Sequence, residues 1–197
     1  VYNSGVISGG TFKGAVSNQE GGKIKGGSFT TLNGYKYSVT VTLGQYMHSS
    51  DERTQSNLLL QNMTPVVVTA DDGYYFPDNY NADEKDGVTV TRDSASQVTV
   101  SGMPYYNVSI TLPAATAKTQ AAMPSAVFTA TGSDTGKLTD VDSGMQYSLD
   151  KGATWKNING SSAELTGLTS STEIQIIKKG GATATGSDIQ HITLSQA

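Results

Sequence analysis

An all-β fold is what this sequence predicts: a short β-solenoid end, then a β-sheet module, then a two-sheet β-sandwich. Three observations lead there. Valines 88, 90, 98 and 100 alternate with threonines and other polar residues at period two, which places them on one face of a sheet and the hydroxyls on the other. The 22 glycines and the Thr/Ser/Val/Ile bias suit strands joined by tight turns. No window sustains the apolar i, i+3, i+4, i+7 pattern of an amphipathic helix.

Composition removes several classes of function. With 197 residues the chain holds one large domain or two to three small ones. A net charge of −4, with Lys23, Lys25, Lys178 and Lys179 scattered, offers no positive stripe for a phosphate backbone, so no nucleic-acid partner is expected. The absence of cysteine removes disulfides, thiol catalysis and thiolate metal sites. No apolar run is long enough to span a bilayer, so no membrane insertion is expected. Val1 opens the chain without a charged-then-apolar leader, and we expect a fragment or mature segment of a larger protein.

Residues 1–33 carry an internal repeat. Gly5-Val-Ile-Ser-Gly-Gly-Thr-Phe12 returns as Gly22-Lys-Ile-Lys-Gly-Gly-Ser-Phe29, every position offset by 17. In stacked coils Ile7 would lie over Ile24 and Phe12 over Phe29, with Gly9-Gly10 and Gly26-Gly27 at the corners. A glycine-rich hairpin is the alternative. Since about three repeats are needed for stability, the last coils of a longer solenoid are expected. The Ile-x-Gly-Gly-Thr/Ser-Phe pattern resembles right-handed β-helix repeats of bacterial surface proteins.

From Gly34 to residue 116 a second module is expected. Tyr35, Tyr37, Val39, Val41 and Leu43 alternate with polar residues as its first strand. Residues 44–61 are polar and irregular, and 51–60 fit either one helical turn or a long loop. The apolar run 66–68 reads as a central strand covered on both faces. Asp72-Gly73 marks a turn, 88–92 and 97–101 form a hairpin through 93–96, and 105–112 closes the sheet. The texts Ala-Asp-Asp-Gly-Tyr-Tyr-Phe-Pro and Val-Thr-Arg-Asp-Ser resemble repeat modules of large secreted or wall-attached proteins of Gram-positive gut bacteria, a resemblance that implies no single activity.

Residues 114–122, rich in Ala, Thr and Lys, read as a linker. Leu112-Pro-Ala-Ala-Thr116 resembles a wall-sorting signal, but the following Gly, the apolar tail and the basic end are missing, so it reads as strand end plus linker. Residues 123–197 then show seven short strands: 126–130, 137–141, 145–149, 154–158, 163–165, 173–177 and 189–194. Their number and spacing resemble a fibronectin type III-like or immunoglobulin-like sandwich. At the positions of the fibronectin tyrosine corner stand Leu168, Ser170, Thr172 and Ile174, so its Pro and Tyr are absent.

The sharpest motif is Ser148-x-Asp150-x-Gly152-x-Thr154-Trp155. It resembles the Asp-box of sialidases, a hairpin in which Asp bonds turn amides, Gly takes positive φ and Trp covers the turn. One box and two arginines, Arg53 and Arg92, do not make the arginine cluster a sialidase resemblance would require, so the motif reads as structural. Asp140-x-Asp142-x-Gly144 and the carboxylates of 78–86 are the acidic groupings, the first without a third oxygen ligand and a distal Glu, the second interrupted by Lys85. Both read as solvated turns, with weak calcium binding at 78–86 the alternative; no metal or cofactor is assigned. His48 and His191 show no triad arrangement, and His191 has the strand parity opposite Ile192 and Leu194, so it faces solvent.

The candidate ligand surface is aromatic. Tyr74, Tyr75, Phe76 and Tyr80, beside Asp78, Asn79 and Asn81, could stack on a sugar, and one of each Tyr pair, 74-75 and 105-106, should be exposed. The competing reading makes these rings the cap of the core. The expectation is a non-catalytic stalk, display or adhesion segment of a bacterial cell-surface or secreted protein, extracellular or wall-associated. Its partner would be a glycan or a host or cell-surface protein. The alternatives are a carbohydrate-binding module using residues 74–80 and an accessory region of a larger glycan-processing enzyme.

Overall fold

The computed structural model describes residues 1–80 and 84–194 and divides into two compact units, Val1–Ala117 and Lys118–Ala197. Among the described residues every regular element is a β-strand.

The first unit opens with parallel pairing, which a hairpin cannot make. Tyr2–Asn3, Thr11–Asn18 and Ser28–Gly34 form one three-stranded sheet, and Val6–Ile7 lies beside Lys23–Ile24. The 17-residue offset is kept where Ile7 faces Ile24 and Phe12 faces Phe29. A register shift after Phe12 then brings Ala15 opposite Thr31. The two Phe rings stack with centroids 5.0 Å apart and planes 6° from parallel. Gly10 and Gly27, at φ 102° and 130°, make the corners. A Cβ on Gly27 would stand 2.9 Å from the Phe29 ring, and its positive φ would strain any other residue, so both favour glycine there.

Asparagines line the inside of this stack. The buried Asn3 amide donates to Asn18 Oδ1 at 2.8 Å, and Asn18 in turn donates to the Tyr37 hydroxyl at 2.8 Å. That hydroxyl also donates to Gly22 O at 2.7 Å and accepts from the Ile24 amide at 3.0 Å. Tyr37 is the first residue of the next module's leading strand. One buried phenol therefore bonds polar groups of the parallel strand pairs and begins the following sheet.

That module is built on two larger sheets. A five-stranded antiparallel sheet runs Glu84–Lys85, Val88–Ser94, Gln97–Gly102, Val66–Ala70, Met47–His48. A three-stranded sheet runs Val108–Thr111, Tyr37–Thr42, Thr54–Leu58. One core joins Val88, Val90, Val98 and Val100 with Val39, Val41, Val66, Val68, Val108 and Ile110, so the period-two valines point inward together. Burying each such side chain stabilises by roughly 1.5–3 kcal/mol before entropy is counted.

Three local expectations change. The segment 51–60 is neither helical turn nor open loop, because Thr54–Leu58 pairs antiparallel with Tyr37–Thr42, with a register shift between Tyr37 and Val39. The run 66–68 is central, with neighbours on both sides, but its faces are unequal: Val66 and Val68 are buried and Val67 is half-buried, so the second face is only partly covered. Within 105–112 only Val108–Thr111 is strand, and it pairs parallel with Tyr37–Thr42 rather than closing the hairpin sheet. Asn107, just before it, accepts the Ser38 amide at 2.9 Å and so anchors that register.

The stretch 114–122 is engaged by pairing rather than free. Thr116–Ala117 runs antiparallel to Tyr74–Tyr75, and Ala115 is buried in the module core. Thr119–Gln120 runs parallel to Ala184–Thr185 in the second unit. Composition reads side chains, whereas these bonds are made by the backbone, which small Ala and Thr residues let approach closely.

The second unit has a three-stranded sheet, Val127–Ala130, Thr135–Thr139, Ala163–Thr166, and a four-stranded one, Lys156–Asn157, Met145–Ser148, Glu173–Lys178, Gln190–Thr193, all antiparallel. Each of the seven predicted segments overlaps an observed strand. The core takes Leu138 and Leu165 from the first sheet, Met145, Ile174 and Ile176 from the second, and Val141, Ile158 and Leu168 from the connections.

Candidate functional site

The tyrosine-rich stretch is set by a turn in which the Tyr74 amide donates to Asp71 O at 3.0 Å with Gly73 at φ 83°. Tyr74 and Tyr75 follow as a two-residue strand and are both half-buried. Phe76 and Tyr80 are not exposed rings. They are buried core residues whose rings meet edge to face, centroids 4.8 Å apart. The Tyr80 hydroxyl donates to Pro113 O at 2.7 Å, and burial pushes its pKa up to about 12. Asp78 and Asn79 are exposed. Asp78 pairs with Arg92 Nη2 at 2.8 Å, and Arg92 Nε donates to Phe76 O at 2.9 Å, so the two residues fasten the stretch to the hairpin. Asn81 lies outside the described residues.

A residue that the sequence pattern does not single out completes the aromatic surface. Tyr46 stacks on Tyr74 with centroids 4.1 Å apart and planes 6° from parallel, and it is 46% exposed. Its backbone is left-handed, φ 62°, an uncommon conformation for a bulky residue. The Asp71 amide holds it there by donating to Tyr46 O at 3.0 Å. Burial, then the neighbouring Tyr46, raise the Tyr74 pKa above its ordinary value. Beside the pair, His48 Nδ1 lies 2.7 Å from Asp71 Oδ1, both side chains being exposed. The only sequence signal for Tyr46 is its place in the polar stretch after Gly44, which gives no partner.

The Asp-box residues all act within their own turn. Ser148 Oγ donates to Asp150 Oδ1 at 2.7 Å and accepts the Gly152 amide at 2.9 Å. Asp150 also accepts the Thr154 amide at 2.8 Å and the Thr154 hydroxyl. These bonds to the charged form, the Thr154 hydroxyl first, hold its pKa down at about 2. Lys151 and Gly152 take φ 57° and 86°. Trp155 is half-buried, its ring 3.7 Å from where a Gly152 Cβ would stand.

Other charged groups are similarly paired. Asp142 accepts the Gly144 amide at 2.7 Å and faces Lys178 Nζ at 3.4 Å. In 78–86, Asp86 pairs with Lys23 at 3.1 Å and Lys85 donates to Ser109 O at 3.1 Å, while Asp83 lies outside the described residues. Among the described residues no three His, Asp or Glu side chains converge as a metal site would require. His191 meets Glu173 across the strand pair. Tyr105 is half-buried and Tyr106 exposed; Lys25 Nζ lies 4.3 Å from the Tyr105 centroid and Lys23 Nζ 4.7 Å from that of Tyr106.

Comparison with known proteins returns no matching family model and no matching curated protein.

Proposed function

We propose that this chain is a non-catalytic segment of a bacterial cell-surface or secreted protein, extracellular or wall-associated. Solenoid-type coils, a β-module and an immunoglobulin- or fibronectin III-like sandwich follow one another as a stalk, display or adhesion scaffold. The observation that carries this reading is where the polar chemistry goes. Asp86, Asp142, Asp150, His48 and His191 are each engaged by another side chain of the chain, and every buried side-chain polar atom among the described residues has a hydrogen-bond partner. Such groups brace strands and turns rather than converge on a reacting atom.

A second reading, carbohydrate binding at the tyrosine-rich stretch, draws on the exposed Tyr46–Tyr74 stack. Printing the purified chain on a glycan array while assaying the same glycans for newly released reducing ends separates the possibilities. The stalk or display form of the scaffold reading expects neither signal. Binding without release favours the carbohydrate reading, and release of sugar ends overturns the non-catalytic one.

A further inference from the structure

The surface around Tyr46 has a built character. A ring that merely completed a core would be buried, whereas Tyr46 is laid on the outer face of a half-buried Tyr74 and stays 46% exposed. Placing it there requires a left-handed backbone, φ 62°, held by the Asp71 amide and by the pairing of Met47–His48 with Val66–Ala70. Tyr74 is fixed from behind by its own pairing with Thr116–Ala117. Strain of this kind persists only where the surroundings over-determine it, and it fixes the ring in advance of any ligand.

The polar groups beside the ring are arranged for hydroxyls. Met47 lies opposite Ala70 in the ladder, so Tyr46 and Asp71 are the next opposed residues, and His48 closes on Asp71 at 2.7 Å through Nδ1 and Oδ1. Asp71 Oδ2 and His48 Nε2 have no side-chain or backbone partner among the described residues, and both side chains are open to solvent. One acceptor and one ring nitrogen thus belong to a single bonded pair whose residues neighbour the stacked rings along the two strands. A pyranose presents the matching features, an apolar C–H face and hydroxyls on its rim.

Resting on the carbohydrate reading, we propose that Tyr46, backed by Tyr74 and edged by Asp71 and His48, is a single subsite for a neutral pyranose. The C–H face stacks on Tyr46 and adjacent hydroxyls bond Asp71 Oδ2 and His48 Nε2. Sugars bearing a carboxylate or sulfate are disfavoured, because the Asp71 charge would face theirs. One ring and two polar atoms give weak binding, in the millimolar range for a monosaccharide, which becomes useful only when many copies face many sugars.

The test is an amide-resolved NMR titration of the full chain with methyl β-glucopyranoside and methyl β-galactopyranoside, with methyl glucuronoside as the acidic contrast. At least one neutral glycoside should shift the amides of Tyr46, His48, Asp71 and Tyr74 while the acidic one binds more weakly. Tyr46→Ala should weaken binding at least tenfold and Tyr46→Phe less than threefold, the same spectra reporting that both variants are folded. Undiminished binding to folded Tyr46→Ala, or shifts confined to Tyr75, Asp78 and Asn79, would overturn this subsite and leave the carbohydrate reading standing. Stronger binding of the glucuronoside would overturn the neutral-sugar assignment. No shift with any probe at tens of millimolar would overturn both the subsite and the reading beneath it.

Discussion

Asp150 and Tyr80 are held by opposite physics, and each gives its unit a distinct pH limit. Folding surrounds the Asp150 carboxylate with donors and lowers its pKa from 3.8 to about 2, so the ionised form is favoured. The stability this contributes is complete above pH 4 and is lost as pH falls towards 2. Asp150→Asn should therefore melt below wild type at pH 7, and the gap should close over that interval. A gap unchanged at pH 2 would show that the carboxylate's charge is not what the turn uses. Tyr80 runs the other way, since burial raises its pKa from 10.0 to about 12. Its contribution is intact below pH 10 and is lost between pH 10 and 12, where the unfolded chain ionises first. Tyr80→Phe should lose about 1 kcal/mol at neutral pH with its bond to Pro113 O and show a weaker alkaline decline. Urea melts at pH 8 and pH 11 read both effects.

At the scale of elements, Tyr37 is where one ladder ends and another begins. Its hydroxyl engages Gly22 O, the Ile24 amide and Asn18, all inside the fold. Tyr37→Phe keeps the ring but leaves the buried Ile24 amide without its acceptor, at a cost of about 1–3 kcal/mol, while Gly22 O and Asn18 keep their bond to each other. Hydrogen exchange at the Ile24 amide should accelerate more than at Val98, in the distant hairpin; equal acceleration would mean that the phenol does not join the parallel strands to the sheet. What sequence made legible follows from the same distinction between near and far. The offset of Phe12 and Phe29 and the parity of Val88, Val90, Val98 and Val100 are local periodicities, and both lie where they were expected. Thr54–Leu58 was hidden because only Leu58 is buried, so no apolar alternation marks it. The parallel partner of Val108–Thr111 depends on a strand some seventy residues earlier. Aromatic placement behaved likewise. Tyr74 could be picked out within its own stretch, but Phe76 and Tyr80 face a core supplied by other strands, and Tyr46 reaches Tyr74 only through the pairing of Met47–His48 with Val66–Ala70.

The unit boundary decides what a self-sufficient piece of the molecule must contain. Lys118–Ala197 has its own core of Leu138, Met145, Ile158, Leu165, Ile174 and Ile176, so it should fold alone. Beginning the piece at residue 122, as composition suggests, removes Thr119–Gln120 and leaves Ala184–Thr185 without its ladder. The Thr119 and Ala121 amides then no longer donate to Thr183 O and Thr185 O, and Gln120 no longer reaches Asp188. Each such bond contributes about 0.5–1.5 kcal/mol net of its exchange with water, opposed by the entropy of ordering the terminal residues. A net loss of about 1 kcal/mol would lower the melting temperature of a domain this size by about 4–8 °C. Calorimetry on 118–197 and 122–197, with amide exchange at Thr185, measures the difference directly. The shorter piece should melt lower and exchange faster at Thr185. Identical melting would mean that 118–121 contributes nothing to this unit and that its functional start is at 122.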